Sequence, residues 1–145
     1  KEWENQSVYG DIVEKTYYVP CFQKLFAENE YQETLGKGCY PLLPLTAYAL
    51  LCISEKVAQN ERTIFTFLAE EEQGSLSWLL QKGIEDFIGI DKIYDYFKNL
   101  FKESISLTNI HNEWLKADYA LTKAESLGEE KVIKAIAIIT SSTDP

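Results

Sequence analysis

The sequence predicts an all-α protein, an irregular multi-helix bundle of six to eight helices with room for one minor strand pair. Three observations predict it. Apolar residues recur at steps of three and four along most of the chain, the spacing that puts them on one face of a helix. Only seven glycines and four prolines interrupt 145 residues, too few for a turn-rich sandwich. Hydrophobic residues make up 46% of the chain, enough to bury one core and too many for a disordered tail.

Taken in order, residues 3–30 carry Val8, Ile12, Val13, Tyr17 and Val19, then Cys21, Phe22, Leu25 and Phe26. Pro20 starts a new helix or kinks the old one, since it lacks an N–H and fixes its own φ. Gly36, Gly38, Pro41 and Pro44 mark a loop over residues 35–44. A helix over residues 45–58 is apolar nearly all round, which places it in the middle of a bundle. Asn60 is an N-cap for a short helix over residues 61–69 with Ile64, Phe65, Phe67 and Leu68 on its buried face. Glu70, Glu71 and Glu72 oppose the dipole at its C-terminus and form a solvated turn.

Gly74 and Ser75 lead into a helix over residues 76–81 that Gly83 terminates. Residues 84–88 are the one stretch of strand character. Asp91 caps a helix reaching residue 102, with Ile93, Phe97, Leu100 and Phe101 inward. Thr108 or Asn109 caps the next, whose Ile110, Trp114, Ala117, Leu121 and Ala124 are spaced four, three, four and three apart. Gly128 breaks it. A last helix over residues 129–140 repeats Val132, Ile133, Ile136 and Ile139. Ile110, Trp114, Leu121, Ile133 and Ile136 are expected to form a continuous core between these two helices. No repeat or linker divides the chain, so it reads as a single helical domain, 1–145, or as two sub-lobes, 1–83 and 84–145. Its start at Lys1, inside a charged helical pattern, reads as a fragment cut from a larger protein.

Composition limits the function. The net charge of −9 opposes binding to phosphate backbones, so direct nucleic-acid contact and a winged-helix DNA reader are disfavoured. No apolar run reaches the ~18 residues that span a bilayer, so no membrane partner is expected. Cys21, Cys39 and Cys52 contain no CxxC pair, which excludes a zinc ribbon or a thioredoxin-type site. An odd number of cysteines with no leader implies reduced thiols and a cytoplasmic protein. His111 is the only histidine, which removes metal sites built on paired histidines. Gly36-Lys37-Gly38 is too short for a phosphate loop and does not open a helix. The carboxylates at Glu70–Glu72, Glu85, Asp86, Asp91 and Asp95 read as a solvated face. No catalytic residue and no metal site is expected, so the chain reads as no enzyme in its own right.

One motif stands apart. Gln59, Asn60, Glu61 and Arg62 are four polar residues between two apolar helices, and Arg62 is the sole arginine of the chain. Its planar fork of donors suits a carboxylate or a phosphate. Read as scaffold, Asn60 caps the helix and Arg62 pairs with Glu55, Glu61 or another acid.

Around this motif the stretch YPLLPLTAYALLCISEKVAQNERTIFTFLAEEEQGSL, residues 40–76, resembles a region of large bacterial AAA-type P-loop ATPases. These include the ATPases of BREX-type phage-exclusion systems and related uncharacterised ATP-binding proteins. IYDYF (residues 93–97) and KAIAI (residues 134–138) resemble two later pieces of the same family. The usual histidine of the family's YPLHP is Leu43 here, and an arginine common before SEK is absent. The resemblance implies a non-catalytic, lid-type helical module packed over the nucleotide-binding core of its own parent chain. ATP and magnesium are then cofactors of the parent, with none in the fragment. Arg62 becomes the candidate nucleotide contact, and Gln59, Asn60 and Glu61 shape its turn. The alternative is a helical protein–protein interaction module with no nucleotide contact, which predicts an exposed apolar groove.

Overall fold

The computed structural model describes residues 7–57, 64–83 and 87–143, which form nine α-helices and one π-helix. The all-α architecture is as expected. The number of helices is higher because residues 7–37 break into four short pieces. The chain divides by its contacts into two compact units, Lys1–Tyr48 with Glu85–Gly89, and Ala49–Ile84 with Ile90–Pro145. This is not the division at 83/84, because residues around Ile88 bond back to the first unit while residues 49–84 cluster with the C-terminal helices.

In the first unit, α1 (Ser7–Tyr17) is followed by α2 (Pro20–Leu25), with Pro20 in the first turn, where no intrahelical N–H is needed. Next come α3 (Glu28–Tyr31) and a π-helix (Gln32–Lys37). The core is Tyr9, Val13, Phe22, Tyr31 and Leu35. Its polar atoms are satisfied: Tyr31 Oη donates to the Val13 carbonyl at 2.6 Å, and Tyr9 Oη is shared between the Gly36 and Leu42 carbonyls at 2.8 and 3.0 Å.

The expected loop over residues 35–44 is therefore wrong in its first part. Gly36 lies inside the π-helix, where an added Cβ would stand 3.0 Å from a Val13 methyl, so a small residue lets two helices close up. The minor strand pair reduces to one parallel bridge between Leu42 and Ile88. Ile88 donates to the Pro41 carbonyl at 2.8 Å and accepts from Leu43 at 3.1 Å. Pro41 and Pro44 have no N–H, so the ladder cannot extend.

The helix α4 (Pro44–Lys56) begins in the first unit and ends in the second. It is not enclosed all round: Leu51 is exposed and Cys52 half-buried. In the second unit follow α5 (Ile64–Ala69), α6 (Leu76–Lys82), α7 (Asp91–Glu103), α8 (Thr108–Leu121) and α9 (Leu127–Ser142). Ser75 caps α6 by accepting from the Trp78 N–H at 3.3 Å, and Gly83 ends it at φ 60°. Helices α7, α8 and α9 pack pairwise against one another.

Four expectations in this unit need correction. Thr108 is the first residue of α8 and not its cap, and neither it nor Asn109 caps the helix through its side chain, because Leu107 holds the cap position. Asp91 likewise opens α7 with Ile90 at the cap. Gly128 lies in the first turn of α9: the break falls over residues 122–126, where Ser126 accepts from the Glu129 N–H at 3.2 Å and starts the new helix early. The core between α8 and α9 also differs. Ile110 is buried, but Trp114, Leu121 and Ile133 are half-buried and Ile136 is 57% exposed. Helix α9 instead buries Ala137, Ile138 and Ser141, small enough at two of three positions for close approach to its neighbours.

Candidate functional site

Three separated stretches of sequence converge on α7. Tyr96, on one side of this helix, is buried, and its hydroxyl group bonds to half-buried partners. The phenol donates to the Glu72 carboxylate, and its oxygen lies 2.9 Å from Thr66 Oγ1, which can donate in turn. Its ring meets Phe67 edge-on at 5.2 Å. Gly74 passes over the same ring with φ 84°, a conformation that disfavours a side chain, and a Cβ there would come 3.7 Å from it. Amphipathic α7 thus ties α5, the acidic turn and Gly74 into one hydrogen-bonded corner.

On the other side Asp95 meets Lys134 of α9 at 2.8 Å, a partly exposed pair. At the start of α7 the buried Asp91 lies 3.4 Å from Lys92. Two clefts flank the polar face of the helix. One, of about 360 Å³, is lined by Tyr94, Lys98, Lys102, Trp114, Asp118, Glu130 and the Asp95–Lys134 pair. The other, of about 520 Å³, lies beside Trp78, Lys92 and Tyr96 and shares Asp95, Lys98 and Asn99 with the first. Burial pushes the Tyr94 phenol up to about 12, and the Asp118 and Asp95 carboxylates push the same way. Tyr94 therefore stays a neutral wall of the cleft. Lysines and acids alternate here, so the surface suits a polar protein contact better than a phosphate cradle.

Gln59, Asn60, Glu61 and Arg62 lie outside the described residues. Their flanks are described: α4 ends at Lys56, Val57 is fully buried, and α5 starts at Ile64. Of the expected helix over residues 61–69, the described part is α5. The Gly36-Lys37-Gly38 run is structural, with Lys37 paired to Glu33 at 2.9 Å. His111 Nδ1 faces the Phe101 carbonyl oxygen at 3.0 Å and the ring lies against Trp114, so it serves a helix junction. None of the three cysteines is in a disulfide, and burial pushes the Cys39 thiol up. Among the described residues no group of three or more His, Cys, Asp or Glu could hold a metal ion, and no helix is long and apolar enough to cross a membrane.

Sequence reasoning missed Thr66, Glu72, Tyr96, Asp95 and Lys134 as a set. The signal was present, because each lies in one of the three stretches singled out for resemblance, but nothing in a linear pattern says that those stretches touch.

The fold is all-α, and its second unit is organised around an amphipathic helix with a polar outer face. Comparison with protein-family models, with curated proteins and with solved structures finds no match for the chain.

Proposed function

We propose that the chain is a non-catalytic, lid-type helical module of a larger AAA-type ATPase, packing over the nucleotide-binding core of its parent. The observation that supports this reading is the convergence on α7. Residues within 40–76, 93–97 and 134–138, the three stretches that resemble the family, meet through Tyr96–Thr66, Tyr96–Glu72 and Asp95–Lys134. A shared set of contacts gives a physical reason for those residue types to occur together.

In this reading the parent's core holds ATP and magnesium and supplies the phosphoryl chemistry. This chain supplies a helical cover and Arg62, with Gln59, Asn60 and Glu61 shaping the turn that presents it. A guanidinium reaching a nucleotide's phosphates stabilises charge that develops during transfer. The test is Arg62→Ala in the full-length parent. ATP turnover should fall ten-fold or more, as expected for an electrostatic donor worth ~2.7–4 kcal/mol. The melting temperature should hold. Normal turnover with a large loss of stability assigns Arg62 to the scaffold and ends the lid reading.

A second reading, a protein–protein interaction module without nucleotide contact, is favoured by one observation. A groove of about 190 Å³ between α8 and α9 is lined mainly by Ala117, Ala120, Ile133, Ile136 and Ala137. Normal turnover in the Arg62→Ala parent, together with lost complex formation on substituting Ile136, would select it.

A further inference from the structure

Helix α7 repeats charge as well as hydrophobicity. Lys98 and Lys102 are four apart in sequence, so they stand one above the other on its polar face, with Asn99 beside them. Helix α8 sets Trp114 and Asp118 at the same spacing, and Glu130 comes from the first turn of α9. Together they wall the cleft of about 360 Å³. The α7 and α8 stripes, residues 95–102 and 114–121, each cover about two helical turns, ~10 Å of rise. Three residues of extended chain have that length.

The two banks carry opposite charge and do not satisfy each other. Among the described residues no ion pair engages Lys98, Lys102, Asp118 or Glu130. Carboxylates are not scarce, since the chain has 23 acids against 14 lysines and arginines. The pair that does form here, Asp95–Lys134 at 2.8 Å, ties α9 to α7. Trp114 is half-buried, and its ring lies against His111 and also lines the cleft.

An aromatic ring with a carboxylate one turn away seats a guanidinium, which stacks on the ring and bonds the carboxylate through its planar fork. The described residues contain no arginine, so an occupant brings its own. Two lysines one turn apart, with an amide between them, take a carboxylate. A ligand of one sign would meet one bank and be repelled by the other; a uniformly negative phosphate backbone would face Asp118 and Glu130. Charge complementarity therefore selects an occupant that carries both signs within the length of the cleft. We propose that this cleft binds a peptide segment of a partner protein in which an arginine and an acidic residue lie within about three positions of each other. The arginine stacks on Trp114 beside Asp118 and Glu130, and the acid lies against Lys98 and Lys102. The inference goes beyond the lid reading and does not depend on it. The charges are largely exposed, so each pair adds little and the contact is weak and salt-sensitive.

The test is an NMR titration of the isotope-labelled chain with a short capped peptide of Glu-Leu-Arg repeats. The Trp114 indole N–H and the backbone amides of residues 95–102 should shift together and saturate at ~0.1–1 mM peptide. Repeats of Gln-Leu-Arg and of Glu-Leu-Gln, which keep one sign each, should bind at least ~3-fold more weakly. Asp118→Lys, and separately Lys98→Glu with Lys102→Glu, should each weaken binding ~10-fold by turning attraction into repulsion. These positions are exposed, so helical circular dichroism should not change. Should either variant lose helicity, Asp118→Asn and Lys102→Gln provide the same comparison with a loss of ~3-fold. No shift at Trp114 up to ~5 mM peptide would overturn the proposal. So would equal binding of the Gln-Leu-Arg repeat, which would mean attraction to the net charge of −9 alone, or affinity that the substitutions leave unchanged in folded protein.

Discussion

Tyr96 Oη lies 2.9 Å from Thr66 Oγ1, a bond across thirty positions of sequence that fastens α7 to α5. The same phenol reaches Glu72, so one hydroxyl organises the end of a helix, the turn after it and the helix against which both pack.

Tyr96→Phe keeps the ring and its edge contact with Phe67 while deleting that hydroxyl. Thr66 and the Glu72 carboxylate each lose a bond in a half-buried setting, which should cost ~1–3 kcal/mol. Urea denaturation of the variant checks this through the shift in midpoint at unchanged slope. A shift within experimental scatter would mean that water replaces the phenol without loss, and that the corner is not a structural unit.

Ile136 and Ile138 lie two residues apart on α9 and should respond oppositely to truncation. Ile138 is fully buried, so Ile138→Ala leaves a cavity and should destabilise by ~2–5 kcal/mol. Ile136 points to solvent, and Ile136→Ala should change stability by at most about 0.5 kcal/mol at low micromolar concentration. Thermal or chemical unfolding of the two variants side by side gives the answer. Equal effects would mean that α9 is turned about its axis from the orientation described here.

Buried phenols give the chain an alkaline limit. Burial pushes Tyr31 up to about 12, only partly offset by Thr16, and pushes Tyr94 to about the same value. Tyr9 is pushed up further, first by burial. The unfolded chain releases these protons near 10, whereas the folded chain holds them. Above that pH the unfolded state binds fewer protons, so stability falls as pH rises. The contribution is intact below pH ~10 and is lost between ~10 and ~12. Stability measured from pH 8 to 12 should decline over that window, and Tyr31→Phe should flatten the decline. Tyrosinate absorbance should appear in two stages, exposed phenols first and the buried ones on unfolding. A single stage centred near 10 would show that these phenols are open to solvent.

Much of the local structure was legible in the sequence. Pro20 at the head of α2, Gly83 at the end of α6, the amphipathic run of α7 and the break after Ala69 all follow from preferences that act within a turn or two of chain. Steric limits on φ, missing N–H groups and helical periodicity need no distant partner to operate. The Arg62 motif was likewise visible as the sole arginine between two apolar helices, although the motif itself lies outside the described residues.

Tertiary structure decided the rest. Which face of α9 is inside was misread, because Val132, Ile136 and Ile139 form as regular an apolar stripe as a core could have. The inward face instead carries Lys134, Ala137, Ile138 and Ser141, since Asp95 on α7 gives the lysine a partner and the small residues allow close packing. Gly36 lies in a π-helix with Val13 packed where a side chain would otherwise project. Tyr96, Thr66 and Glu72 became a site only when α7 packed beside α5. Hydrophobic periodicity reports that a face is apolar, but it is the shape and charge of the neighbouring helices that choose which faces meet, and those neighbours come from distant parts of the chain.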